Sequence, residues 1–117
     1  MKDVKIAASI IAANLRNLER LTYELEQAGV NVIHVDSMDG HFFDYIGLCP
    51  YVIKALKEVS NLEVRVHLAV RHPEKLLQQF IDTNADWISL QFETCSFPYR
   101  LLRRITSAGL KAGLAIL

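Results

Sequence analysis

The 117-residue chain carries thirteen basic and thirteen acidic side chains, so its formal net charge is zero, and no run of like charge exceeds the Arg103-Arg104 pair. That balance offers nothing to a nucleic-acid backbone or an anionic membrane surface, and no stretch approaches the length of a membrane span, so the expected partner is a small molecule. With 51% hydrophobic and 22% charged residues, the make-up is that of one globular domain with a real core, over residues 1–117, which argues against disorder.

The first strand is read over residues 4–11. Asn14 is the expected cap of the helix that follows, in which Leu15, Leu18, Leu21, Leu25 and Ala28 recur at helical spacing and Gly29 ends the pattern. The apolar run beginning at Ile6 is broken by Ser9 and lacks a cleavage region, which disfavours a signal peptide. A second strand opens with Val32-Ile33 and stops at Asp39-Gly40. A long aromatic-rich loop follows, from Ser37 to Cys49, of the kind that often carries function. Pro50 starts a helix with Val52, Ile53, Leu56 and Val59 on its apolar face, and a third strand runs over 62–70. Pro73 opens the third helix, buried through Leu76, Leu77, Phe80 and Ile81, and residues 86–92 form the fourth strand. Pro98 introduces the fourth helix, lined by Leu101, Leu102 and Ile105 and capped by Gly109, before a fifth strand from Lys111. Cys49 and Cys95 stand alone, outside any C-x-x-C pattern, which points to free thiols and a cytoplasmic location.

Strands alternating with helices imply a parallel sheet, and A-G-V-N-V-I at 28–33 is loosely echoed by N-A-D-W-I at 84–88. Polar residues recur on one strand face: Ser9, His34 with Asp36, Arg65 with His67, and Gln91 with Glu93. A barrel interior explains this better than an open flavodoxin-like sheet. A (β/α)8 TIM-barrel needs about 250 residues, so the expectation is its N-terminal half, about five strands and four helices, ending within an apolar strand.

Side chains alternate along a strand, so Val32, His34, Asp36 and Met38 share one face of the second strand. His67 lies near the end of the third. In a parallel barrel these strand ends reach the same rim, so His34, Asp36 and His67 converge as candidate metal ligands, with no fourth evident. Imidazole nitrogen with carboxylate oxygen suits a divalent metal cation (Zn, Fe, Mn or Co), and Asp36 is also the candidate catalytic acid/base. Ser9, Met38 and His67 are the candidate substrate contacts: Ser9 through its hydroxyl, Met38 as an apolar cap over a planar intermediate. His41 and His72 fall in loops and read as solvated.

Through K-I-A-A-S-I-I-A-A-N at 5–14, H-V-D-S-M-D-G-H-F at 34–42, V-H-L at 66–68, H-P-E at 72–74 and K-A-G-L-A-I at 111–116, the sequence resembles the ribulose-phosphate 3-epimerase family. The resemblance implies a (β/α)8 barrel isomerase that interconverts D-ribulose 5-phosphate and D-xylulose 5-phosphate in the pentose phosphate pathway. It further implies a sugar-phosphate substrate, a divalent metal on His34, Asp36 and His67, and Ser9 at the substrate. Asp36 would be one of two acid/base carboxylates, the second coming from a later strand along with the phosphate loops. A homo-oligomer is expected. The chain departs from the family pattern at Ala8, Arg65, Ala69, Gln91 and Phe43-Asp44-Tyr45. Arg65 would put a charge on the inward face unless a carboxylate such as Glu93 pairs with it, and the small Ala69 would open the pocket. Two alternatives stand beside the epimerase: a truncated or degenerate non-catalytic paralogue, and an epimerase for another ketose phosphate such as allulose 6-phosphate.

Overall fold

Strand and helix alternate along the chain, and each strand pairs in parallel with the next. β1 (Ala7–Ser9), β2 (Val32–Met38), β3 (Glu63–Ala69), β4 (Trp87–Gln91) and β5 (Lys111–Ala115) make one sheet in sequence order. Helices α1 (Leu18–Gln27), α2 (Pro50–Val59), α3 (Pro73–Ile81) and α4 (Pro98–Ser107) connect them. The computed structural model describes residues 4–117; Met1 to Asp3 lie outside the described residues. A doubly wound flavodoxin-like sheet reverses its strand order once, whereas this one does not. The fold is therefore α/β with the topology of the N-terminal part of a (β/α)8 barrel.

Alternation divides the sheet into two faces. Ile33, Val35, Val64, Val66, Leu68, Ile88 and Leu90 point to one side and pack, fully or almost fully buried, against Ile53, Leu56, Leu77, Phe80, Leu101 and Ile105 of the helices. The opposite face carries His34, Asp36, Arg65 and His67, all partly exposed. Pro50, Pro73 and Pro98 each occupy the first turn of their helix, where a missing N–H is harmless.

Three expectations are corrected. Asn17, not Asn14, caps α1: its side chain accepts from Arg20 N, while Asn14 closes a local turn on Arg16 N, which leaves Leu15 outside the helix. β1 is three residues long instead of spanning 4–11, because it pairs only with β2; Val4 and Ile6 are exposed and Ile10 is the buried residue there. β4 ends at Gln91, since Phe92–Thr94 wind into a 3-10 turn that takes Glu93 off the strand face.

The echo between 28–33 and 84–88 is a structural repeat. Gly29 (φ 78°) and Asn84 (φ 58°) make the left-handed step out of α1 and α3. Two residues later, Asn31 Oδ1 accepts Ile6 N at 3.0 Å, and Asp86 Oδ2 accepts Val64 N at 2.8 Å. The backbone of each answers: Asn31 N donates to Ile6 O and Asp86 N to Val64 O. Each is a two-sided clasp that sets the register of a strand against its predecessor. The Asp86 clasp also holds Lys57 Nζ at 2.7 Å. Burial raises the Asp86 carboxyl, but Lys57, the Val64 amide and Lys111 together outweigh it and hold it below the usual range. Asp86→Ala is expected to cost about 1–3 kcal/mol near neutral pH by leaving the Val64 amide unpartnered. Because the folded-state pKa is depressed, the charge-linked part of that difference is present above the unfolded value of about 3.9 and fades as pH falls through the folded one; urea titrations of both proteins against pH measure it.

Candidate metal centre

The parallel register of β2 and β3 sets Asp36 beside His67 and His34 beside Arg65, and β1 brings Ser9 beside His34. Asp36 Oδ1 then lies 3.0 Å from His34 Nε2 and 3.2 Å from His67 Nδ1. One ligand atom from each of the three residues falls within 4.8 Å of the others. The other carboxylate oxygen, Oδ2, accepts from the Ser9 hydroxyl at 3.1 Å. Burial pushes the Asp36 carboxyl up, but the His34 charge and hydrogen bonds from His34, Ser9 and His67 prevail and hold it below the ordinary range. It is thus an ionised acceptor at neutral pH, with two differently used oxygens. A carboxylate between two imidazoles, all three partly exposed, fits the donor set of a divalent cation.

Behind the centre, His67 Nε2 lies 2.8 Å from Gln91 Oε1, and Gln91 Nε2 donates to Glu93 Oε2. Gln91 itself is 2% exposed, a buried amide with both ends partnered.

The loop between β2 and α2 returns along the end of β2. Gly47 N donates to Met38 O, Leu48 N donates to Asp36 O at 2.8 Å, and Asp39 bridges Ile46. This approach requires a glycine: a Cβ at position 47 would stand 2.4 Å from Asp36 O and 2.6 Å from Met38 N, both backbone atoms. The Gly47 contact was not evident from sequence, because its cause is the path of the loop over β2. Asp39, likewise passed over as part of a turn signal, accepts Arg71 N and His41 N and so ties the ends of β2 and β3 together.

Other expected contributors fall as follows. Met38 is on the Asp36 face, opposite Ala69 in register. Ala69 is fully buried. Arg65 does not pair with Glu93; its Nε meets Glu63 Oε1 at 2.8 Å and its guanidinium lies 4.7 Å from the Trp87 ring centre. The reason is local: Glu63 is two residues back on the same strand face, whereas Glu93 has left the sheet. His41 and His72 are exposed beside Asp39 and Glu74. A hollow of about 350 Å³, lined by His41, Phe42, Arg71 and Glu93 among others, opens beyond the ends of β2, β3 and β4.

Residues 5–117 match the family described as Ribulose-phosphate 3 epimerase family. The chain is similar to proteins named ribulose-phosphate 3-epimerase in Bacillus subtilis, 33% identical over 97% of this chain and 52% of that one, and in Methanocaldococcus jannaschii, 36% identical over 97% and 47%. It is also 37% identical to the Ribulose-5-phosphate-3-epimerase, chloroplastic, of Arabidopsis thaliana, over 97% of this chain and 41% of that one. The chain spans about half the length of the curated relatives it matches.

Two outcomes test this geometry. Gly47→Ala is expected to destabilise the fold by about 1–3 kcal/mol through overpacking, and to move the Asp36 and Met38 amide resonances more than those of distant β5. Ser9→Ala removes a hydrogen bond that favours the charged carboxylate, so the Asp36 titration followed by carboxyl carbon NMR should shift to higher pH.

Proposed function

The chain belongs to the ribulose-phosphate 3-epimerase family, and from that premise we propose that the Asp36 centre serves epimerisation of a ketose phosphate, D-ribulose 5-phosphate to D-xylulose 5-phosphate in the pentose phosphate pathway. The observation that carries this is the convergence of His34, Asp36 and His67 on the sheet face away from the helices. Over residues 1–117 the protein is the N-terminal half of a ribulose-phosphate-binding barrel. His34, Asp36 and His67 would hold a divalent cation, zinc, iron, manganese or cobalt, which would supply positive charge beside the substrate oxygens where negative charge develops as the C3 proton leaves.

The two oxygens of Asp36 divide the work. Oδ1 faces the imidazoles and Oδ2 faces Ser9, so the C3 proton goes to Oδ2. A serine hydroxyl donates to a carboxylate and, rotated, accepts from a carboxylic acid, so Ser9 keeps Oδ2 in place before and after transfer. Ser9 and His67 also contact the sugar phosphate, and Met38 covers the planar intermediate from the rim. Inversion requires a second proton donor on the opposite face. Asp36 is the one carboxylate of the three-residue centre among the described residues; the alternative reading is a non-catalytic scaffold that binds metal without turning over substrate. The unbridged Cys49 and Cys95 support a cytoplasmic location. Among the described residues, no helix is long and apolar enough to cross a membrane. The expected assembly is a homo-oligomer.

In deuterium oxide the metal-loaded protein should wash deuterium into C3 of ribulose 5-phosphate, and Asp36→Asn should slow that wash-in by about 10²–10⁴-fold with the circular dichroism spectrum retained. A folded, metal-loaded wild-type protein that leaves C3 unlabelled would sink the proton-transfer assignment and leave the non-catalytic reading. Removal of bound metal with a chelator should lower the melting temperature, since a ligand that binds only the folded state stabilises it.

A further inference from the structure

We propose that the cleft between α3 and α4, walled by Arg100, Arg103 and Arg104, binds a nucleoside di- or triphosphate, with the base against Phe97 and Leu101 and the phosphates on the arginines. The cleft lies in the helical layer and shares no residue with the His34, Asp36 and His67 centre, so the proposal is independent of how that centre is read.

The ten residues of α4 carry three arginines and no acid, in a chain whose formal net charge is zero. Leu101 and Ile105 are buried under the helix, which leaves Arg100, Arg103 and Arg104 exposed together along its outer side. Like charges three and four residues apart on a helix repel, and Arg100 stands in the first turn, where the helix dipole disfavours a cation. Among the described residues, the ion pairs of lysine and arginine belong to Lys5, Arg20, Lys57 and Arg65, and none to α4. Arg104 is oriented from the facing wall: Nη1 donates to the Glu74 carbonyl at 3.3 Å and Nη2 to Gln78 Oε1 at 3.4 Å, both on α3. Two adjoining hollows share Arg100 and Arg104. One, of about 360 Å³, is bounded by Ser96, Phe97 and Leu101; the other, of about 390 Å³, by Gln78, Ile81 and Arg103. Each has the size of a small-ligand pocket. Glu74 is the one carboxylate of the lining, and its Oε1 is turned to His72 Nδ1 at 3.3 Å. The ligand's chemistry follows from these walls. A guanidinium pairs with phosphate oxygens through two parallel N–H bonds, and three of them in succession match a chain of two or three phosphates. Phe97, 70% exposed at the lip, supplies a ring on which a base stacks, and Leu101 supplies an apolar wall beside it. An acidic peptide would use the arginines but leave that ring without a flat partner.

Isothermal titration of the protein with ATP in the presence of EDTA tests this, since the chelator prevents a metal ion from bridging nucleotide and protein. Saturable binding is expected, weakening as salt is raised. Arg100→Gln combined with Arg103→Gln should weaken it about tenfold or more. Phe97→Ala should weaken ATP binding about fivefold and leave that of inorganic tripolyphosphate unchanged. All three positions are exposed, and circular dichroism checks that the variants keep the fold. Amide resonances that move on addition of ATP should centre on α3 and α4. ATP binding that is absent at millimolar concentration, unaltered by the double arginine variant, or mapped by the amide shifts to the ends of β2 and β3 overturns the proposal. Tripolyphosphate that binds as tightly as ATP, or a polyglutamate peptide that binds more tightly, overturns the assignment to a nucleotide.

Discussion

The pairing of β2 with β3 is the constraint on which the centre depends. Seven consecutive partners, from Val32 with Glu63 to Met38 with Ala69, set Asp36 opposite His67 while Val35 and Val66 turn to the helices. Side chains alternate with a period of two, so a one-residue slip of β2 would carry Asp36 into the apolar layer, and one of β3 would bring Leu68 towards the polar face. The same apolar burial that stabilises the sheet therefore also specifies the register of the ligands. Asp36 and His67 are 31 residues apart in sequence, and it is the core beneath them that makes them neighbours.

The polar face has an electrostatic problem that it solves in two ways. Near the rim, one carboxylate meets two imidazoles and a hydroxyl, and the interactions that favour its charge outweigh the cost of partial burial. Nearer the start of the strands, Arg65 is matched by Glu63 and lies against the Trp87 indole, which accepts a cation on its face. The two groups of charge stay separate: Arg65 Nε donates to Glu63, and the Asp36 carboxylate accepts from Ser9. Gln91 stands between sheet and loop. Its amide links the His67 ring to the surface carboxylate of Glu93.

Much of this was legible in the sequence. The two-residue spacing of His34 and Asp36, the position of His67 near its strand end and the three helix-starting prolines are local patterns, and local patterns translate directly into backbone geometry. The ends of elements were less legible. Asn14 and Asn17 are equally good caps as residue types, and only the path of the chain after Ile10 selects the second. Glu93 continues the alternation on paper, but the chain winds into a 3-10 turn one residue after Gln91. Gly47 and Asp39 act through the backbone of another segment, so their roles depend on a loop trajectory that residue spacing does not encode. Arg65 pairs with Glu63, two residues back on the same strand face, in place of the expected Glu93, which the 3-10 turn removes from the sheet.

The clasps formed by Asn31 and Asp86 lie at the opposite end of the strands from the centre. Each joins the start of one strand to the strand before it, and neither uses a residue of the rim. Alignment information is thus stored in one place and chemistry in another. A lineage could lengthen, shorten or rewrite the loops after β2, β3 and β4 while the strands stay in step, and a duplicated unit would bring its own alignment device with it. The two clasps, asparagine in one and aspartate in the other, do the same alignment task with a neutral and a charged side chain.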